Sequence, residues 1–159
     1  MNQAIVDTLL KRSAGAAVAQ ALSLLLERDG YLLKVDANER SIAYRFALYL
    51  QEQLPALHVD CEYNRDGIDP KRIQHLYVSP DLEDTEAKTA FPDVIAHIRG
   101  TNTNYLVIEL KKTTNTVNRK FDFAKLRGYK HNLGYEHALF IELAAGKEPH
   151  VCRVEWVDV

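Results

Sequence analysis

The stretch FPDVIAHIRGTNTNYLVIELKK, residues 91–112, decides how this chain is read. It holds two apolar runs, DVIAHI (93–98) and YLVIELK (105–111), joined by RGTNTN (99–104). The Gly and Asn residues between them suit a reversing turn, so the pattern predicts an antiparallel hairpin. A hairpin centred on Thr101 or Asn102 sets Asp93 opposite Glu109 or Leu110. Side chains alternate along a strand, so Glu109 and Lys111 share a face while Lys112 points the other way, toward solvent or a binding rim. Three ionisable groups therefore meet at one end of two apolar strands.

Two carboxylates at that range repel unless something positive stands between them. A hard divalent cation fits, because Mg²⁺ takes oxygen ligands and is held through one or two protein carboxylates, leaving positions for water and phosphate. The backbone carbonyl of Leu110 offers a further ligand. Lys111 could orient a metal-bound water and offset phosphate charge, an arrangement suited to phosphodiester hydrolysis. The plainer alternative is an ion pair at the sheet boundary, between Lys111 and Asp93 or Glu109.

Outward from the hairpin, the periods are those of an α/β chain. Residues 3–27 carry Ile5, Leu9, Leu22 and Leu25 at helical spacing and are expected to form one helix ended by Asp29-Gly30. DANERSIAYRFALYLQEQL (36–54) places Ile42, Phe46, Leu50 and Leu54 on one stripe, with Asp36 or Asn38 as cap and Pro55 as stop. HVDCEYN (58–64) alternates like a strand with two distinct faces. Residues 65–90 are rich in Asp, Gly, Pro, Lys and Glu. Within them QHLYV (74–78) reads as a short strand and PDLEDTEAKTA (80–90) as an exposed, mobile loop. FDFAKLRGYKHNL (121–133) reads as a helix closed by Gly134, HALFIEL (137–143) as a strand and HVCRVEWVDV (150–159) as a last one. Helices that flank strands in this order point to an α/β fold.

Pro92-Asp93, fifteen residues, then Glu109-Leu110-Lys111 resembles the PD-(D/E)xK signature of the restriction-endonuclease-like nuclease superfamily. The stretches ANERSIAYRFALYL (37–50) and VDCEYNRDG (59–67) also resemble uncharacterised bacterial members. The resemblance implies a core of helix, three strands, helix and strand, and residues 36–143 give that order independently. Residues 1–35 would be a helical extension and 144–159 a C-terminal strand of one nuclease-like domain spanning 1–159. It further implies Asp93 and Glu109 as metal ligands with Mg²⁺ or Mn²⁺, Lys111 as the catalytic lysine, and Glu39 as the helix glutamate that completes the metal site.

Each supporting residue has a plainer reading. Glu39 shares the inward face of Ile42 and Ala43, yet also fits a capping box at the helix start. Glu62 lies on the strand face opposite Val59 and Cys61 and points to the site or to solvent. Lys125 and Tyr129, four apart on one helix face, stand where some members of the superfamily carry Gln-x-x-x-Tyr; the lysine departs from that pattern. Residues 111–130 hold seven of the twenty Lys and Arg residues. Among them Lys112, Arg119, Lys120, Arg127 and Lys130 are candidates for a phosphate-binding rim, or for a solvated helix face.

Composition bounds these readings. The chain has 159 residues, 47% hydrophobic and 26% charged, with net charge −2, so its surface as a whole is not built to grip nucleic acid, although a local basic groove is compatible with that balance. The six histidines lack zinc-ligand spacing. Cys61 and Cys152 read as reduced thiols. AGAAVAQALSLLL (14–26) is too short to span a bilayer and has no cleavage site after it. Cytoplasmic location and no membrane contact are therefore expected. The expected partner is nucleic acid, with DNA favoured. So short a chain leaves little room for a recognition domain, so a homodimer or a partner protein would supply what is missing. Two other readings stay open: a catalytically inactive nuclease-fold protein that binds nucleic acid or protein, and a structural module whose strand-end charges only pair.

Overall fold

The computed structural model describes residues 1–63 and 91–158 and, between them, the backbone of residues 65–66, 69–70, 72–73 and 88–89. In chain order the elements are α1 (Gln3–Leu9), α2 (Gly15–Lys34), α3 (Glu39–Gln53), β1 (His58–Cys61), β2 (Arg65–Asp66), β3 (Asp69–Pro70), β4 (Arg72–Ile73), β5 (Lys88–Thr89), β6 (Val94–His97), β7 (Asn104–Lys112), α4 (Lys120–Leu133), β8 (His137–Ala144) and β9 (His150–Trp156). The candidate strand at 74–78 lies outside the described residues. So does the candidate loop at 80–90, apart from Lys88 and Thr89, which pair with Arg72 and Ile73.

The predicted hairpin forms. β6 and β7 pair antiparallel with Val94 level with Ile108 and Ile95 with Val107, and the register shifts at a bulge near His97. Extended by one residue, that register sets Asp93 level with Glu109. The main sheet runs β1-β6-β7-β8-β9, with β7 and β8 parallel and the other pairs antiparallel. A parallel pair needs a crossover, and α4 supplies it. The result is an α/β fold built on a five-stranded mixed open sheet.

β7 is covered on both faces, which explains why it reads as one apolar run. Leu106, Ile108 and Leu110 pack with Ile42, Phe46 and Leu50 of α3 and Leu22 and Leu25 of α2. Val107 packs on the other face with Ile95, Phe140, and Leu126 and Tyr129 of α4. Alternation then sends Lys112 toward α3 and both Glu109 and Lys111 toward α4.

The N-terminal helix differs from the single helix expected over residues 3–27. The chain leaves helix after Leu9, and α2 starts at Gly15, where a Cβ would lie 1.8 Å from the Leu9 carbonyl oxygen. Only glycine permits that approach. Nor does Asp29-Gly30 end the helix. Asp29 takes φ −126° at a kink, its carboxylate accepts hydrogen bonds from Arg45 Nε at 2.7 Å and from the Tyr49 hydroxyl, and the helix resumes to Lys34. A side-chain network from α3 thus offsets a break that local sequence alone reads as a stop. The α3 start follows expectation: Asn38 caps it by accepting the Ser41 N–H at 2.8 Å. Cys61 and Cys152 are both free thiols. No helix among the described residues is long and apolar enough to cross a membrane.

Candidate functional site

Asp93 precedes β6 and closes its ladder with a side chain. Its Oδ2 accepts the Leu110 N–H at 2.7 Å, so the carboxylate takes the place of the next backbone partner. The hairpin register puts Pro92 level with Leu110, and a proline has no N–H to give, so β6 offers the Leu110 carbonyl no donor. Together, Pro92 and Asp93 hold the β7 edge open at the level where Leu110 presents its oxygen.

Glu109 is only 2% exposed. Its Oε2 accepts from Lys125 Nζ of α4 at 2.5 Å, while its Oε1 is buried with no hydrogen-bond partner among the described residues. Burial pushes the Glu109 carboxyl well above its ordinary 4.5; the charge of Asp93 adds to this and the Lys125 ammonium opposes it. Burial likewise raises Asp93 above its ordinary 3.8, against the pull of the Leu110 N–H, Lys125 and Lys111. The two carboxyls so placed resist ionising together.

Lys111 sits on the same face, with its Nζ 3.2 Å from Asp122 Oδ1. Asp122, in the first turn of α4, was not singled out from the sequence. Its signal there is its place three residues before Lys125, hence on the same helix face. Its Oδ2 and the Tyr129 hydroxyl are also buried and unpartnered among the described residues. Tyr129 is fully buried, and burial, then the Glu109 and Asp93 charges, raise its pKa. Asp93, Glu109, Lys111, Lys125 and Tyr129 therefore form one cluster with Asp122: three carboxylates, two ammoniums and a phenol.

Glu39 lies near enough for its charge to raise the pKa of Asp93, and both of its oxygens already accept hydrogen bonds. One oxygen accepts the Lys112 N–H at 2.8 Å, and Asn115 Nδ2 donates to both oxygens at 3.0 and 2.9 Å. It does not reach back as a capping box; it joins the α3 start to the end of β7. Among the described residues no group of three or more His, Cys, Asp or Glu stands ready to hold a metal. What does fit a cation is a pair of carboxylates with an orphaned Glu109 oxygen beside the Leu110 carbonyl, the donor set of a Mg²⁺ site completed by water and phosphate.

The rim expectation needs correction at two places. Lys112 is 8% exposed rather than solvent-facing, and its ammonium donates to Asp36 Oδ1 at 2.6 Å and to the carbonyls of Ala37 and Asp36 at 2.7 and 3.2 Å. Arg119 is spent on Glu142 at 2.8 Å, on the Lys112 carbonyl at 2.9 Å and on the carbonyls of Val117 and Asn115. Lys120 and Arg127 are exposed, and Lys130 reaches the Glu136 carbonyl at 3.1 Å. Glu62 leaves β1 with φ +48°, pairs with Arg40 at 2.6 Å, and with Arg40, Ala43, Cys61 and Asp93 lines a cavity of about 90 Å³.

The chain matches no protein-family model, no curated protein and no solved structure.

Proposed function

We propose that this protein hydrolyses phosphodiester bonds in nucleic acid, with DNA as the expected polymer, at a divalent-metal site of the PD-(D/E)xK kind. The observation that carries the reading is the pairing of partly buried Asp93 with buried Glu109, with one Glu109 oxygen left unpartnered among the described residues and Lys111 two residues on. The order α3, β1, β6, β7, α4, β8 supports it, since it is the order the superfamily resemblance implies. Asp93 and Glu109, with the Leu110 carbonyl, would hold Mg²⁺ or Mn²⁺. When bound, the ion supplies Lewis acidity and lowers the pKa of a water. Lys111, oriented by Asp122, offsets the charge that builds on the phosphate oxygens. Asp93 borders the cavity shared with Arg40, and the exposed Lys120 and Arg127 suit the polymer backbone.

A second reading has one observation in its favour. Lys125 already balances Glu109, as an inactive nuclease-fold protein serving as a nucleic-acid or protein binding module would require. Calorimetric titration with Mg²⁺ and Mn²⁺ separates the two. Wild type is expected to bind one of these ions, and Asp93→Ala to bind neither. Lys111→Ala should keep metal binding and lose at least about 100-fold in cleavage of plasmid, linear or single-stranded DNA. A wild type that takes up no ion, or a Lys111→Ala variant that cuts normally, sinks the proposed mechanism.

A further inference from the structure

We propose that Lys125 sets the occupancy of this metal site: its ammonium holds Glu109 while no metal is bound, and moves to the unpartnered oxygens of Asp122 and Tyr129 when a divalent cation enters. The inference rests on the metal reading of Asp93 and Glu109.

Three observations carry it. First, Lys125 touches Glu109 of the pair, with its Nζ 2.5 Å from Glu109 Oε2, and its charge, like that of Lys111, is felt at Asp93. Its charge opposes the repulsion between the two carboxylates. Second, a destination exists. Asp122 lies three residues before Lys125 on α4 and Tyr129 four after, so both flank it on one helix face. Asp122 Oδ2 and Tyr129 Oη are both buried and unpartnered, whereas Asp122 Oδ1 is already held by Lys111. Third, all three orphaned buried side-chain atoms among the described residues belong to this cluster, the remaining one being Glu109 Oε1. One rearrangement satisfies them: a divalent ion takes Glu109, and the displaced ammonium takes Asp122, with Tyr129 beside it.

Charge decides the direction. A divalent ion attracts the carboxylate pair more strongly than one ammonium does, and an ammonium left in place would repel it. The lysine stem has four flexible carbons, enough to swing between acceptors on its own helix face. Lys125 is therefore a positioning residue that weakens metal affinity, while Lys111 stays with Asp122 and the phosphate.

Calorimetry on the full chain, with Mg²⁺ and Mn²⁺ as probes, tests this without any cleavage assay. Lys125→Gln and Lys125→Met are expected to bind the ion roughly ten- to a hundredfold more tightly than wild type, because the competing charge is gone. They should also melt lower than wild type without metal and regain more than wild type on adding it. Should Lys125→Met fail to fold, Lys125→Gln, which is polar and neutral, carries the test. If wild type binds the ion and Lys125→Gln binds it equally or more weakly, this inference is overturned while the metal reading stands. If wild type and both variants bind no ion, the metal reading itself fails and takes this inference with it.

Discussion

The two faces at the end of β7 treat their charges in opposite ways. On the α3 face, Lys112, Glu39, Asn115 and Arg119 form a closed network in which the Lys112 ammonium has three acceptors and both Glu39 oxygens have donors. On the α4 face, Glu109, Asp122 and Tyr129 each leave a buried oxygen without a partner among the described residues. Both faces are buried and both are rich in charge. A network that only holds the fold tends to satisfy itself, because an unpartnered buried polar atom costs about 1–3 kcal/mol. A cluster that leaves three such atoms together is poised for a ligand. On the proposed reading, charge alone does not mark the site; incomplete satisfaction does.

The largest effect expected from this contrast is at Lys112. Lys112→Met keeps the apolar stem and removes the ammonium, so two backbone carbonyls lose their donor between the α2–α3 connection and β7. A loss of about 2–3 kcal/mol is expected by urea unfolding, held down because Asp36 is about half exposed. Metal binding should be unaffected. If Lys112→Met instead unfolds like wild type, the α3 face is not the structural one and the contrast collapses.

Next in size is a pair of isosteric changes, one on each face. Glu39→Gln puts an amide NH₂ against Asn115 Nδ2, a donor facing a donor. Asn115 cannot flip to relieve it, because its Oδ1 already accepts the Val117 N–H at 2.9 Å. A cost of about 1–2 kcal/mol follows. Glu109→Gln should leave metal-free stability unchanged or raise it by up to about 1 kcal/mol, since it removes one of three carboxylates facing two ammoniums. The same change should abolish metal uptake. Should Glu109→Gln prove costlier than Glu39→Gln, the carboxylate surplus on the α4 face is not real.

Much of this was legible in the sequence, and the misses have a common cause. The hairpin register followed from strand period and turn residues, which are local, and it set Asp93 beside Glu109 correctly. The face shared by Glu109 and Lys111 followed from alternation alone. What failed was everything that depends on distant partners. Lys112 reads as a surface lysine because its acceptors, Asp36 and Ala37, lie about seventy-five positions away. The hydrogen bonds that Glu39 accepts from Asn115 of the β7–α4 connection likewise join residues about seventy-five positions apart. The kink at Asp29 likewise depends on Arg45 and Tyr49 of the next helix, and a Gly that follows an Asp looks like a stop without them. Asp122 was overlooked because nothing in a helix's first turn separates an acid that favours the helix dipole from one that holds a lysine.

The smallest and most selective test is the pH dependence of stability in protein freed of divalent ions, where the two kinds of carboxylate should pull in opposite directions. Asp60 belongs to the satisfied kind. Burial would raise its pKa, but hydrogen bonds from Arg99 and His97 outweigh that and hold it below its ordinary 3.8. Its contribution to stability is therefore present above 3.8 and lost as pH falls through the folded value. Glu109 is the reverse. Its folded value is raised, first by burial, so its contribution is present below the ordinary 4.5 and lost as pH rises through the folded value. Asp60→Asn should flatten the acid limb of a urea-unfolding series and Glu109→Gln the limb on the other side, each leaving its counterpart in place. Saturating Mg²⁺ should reverse the Glu109 limb, because the ion binds the ionised carboxylate and its contribution grows as the proton leaves. A Glu109 limb that stays the same with and without Mg²⁺ would mean that the orphaned oxygen never meets a metal, and the α4 face would then be a strained version of the α3 face rather than a site.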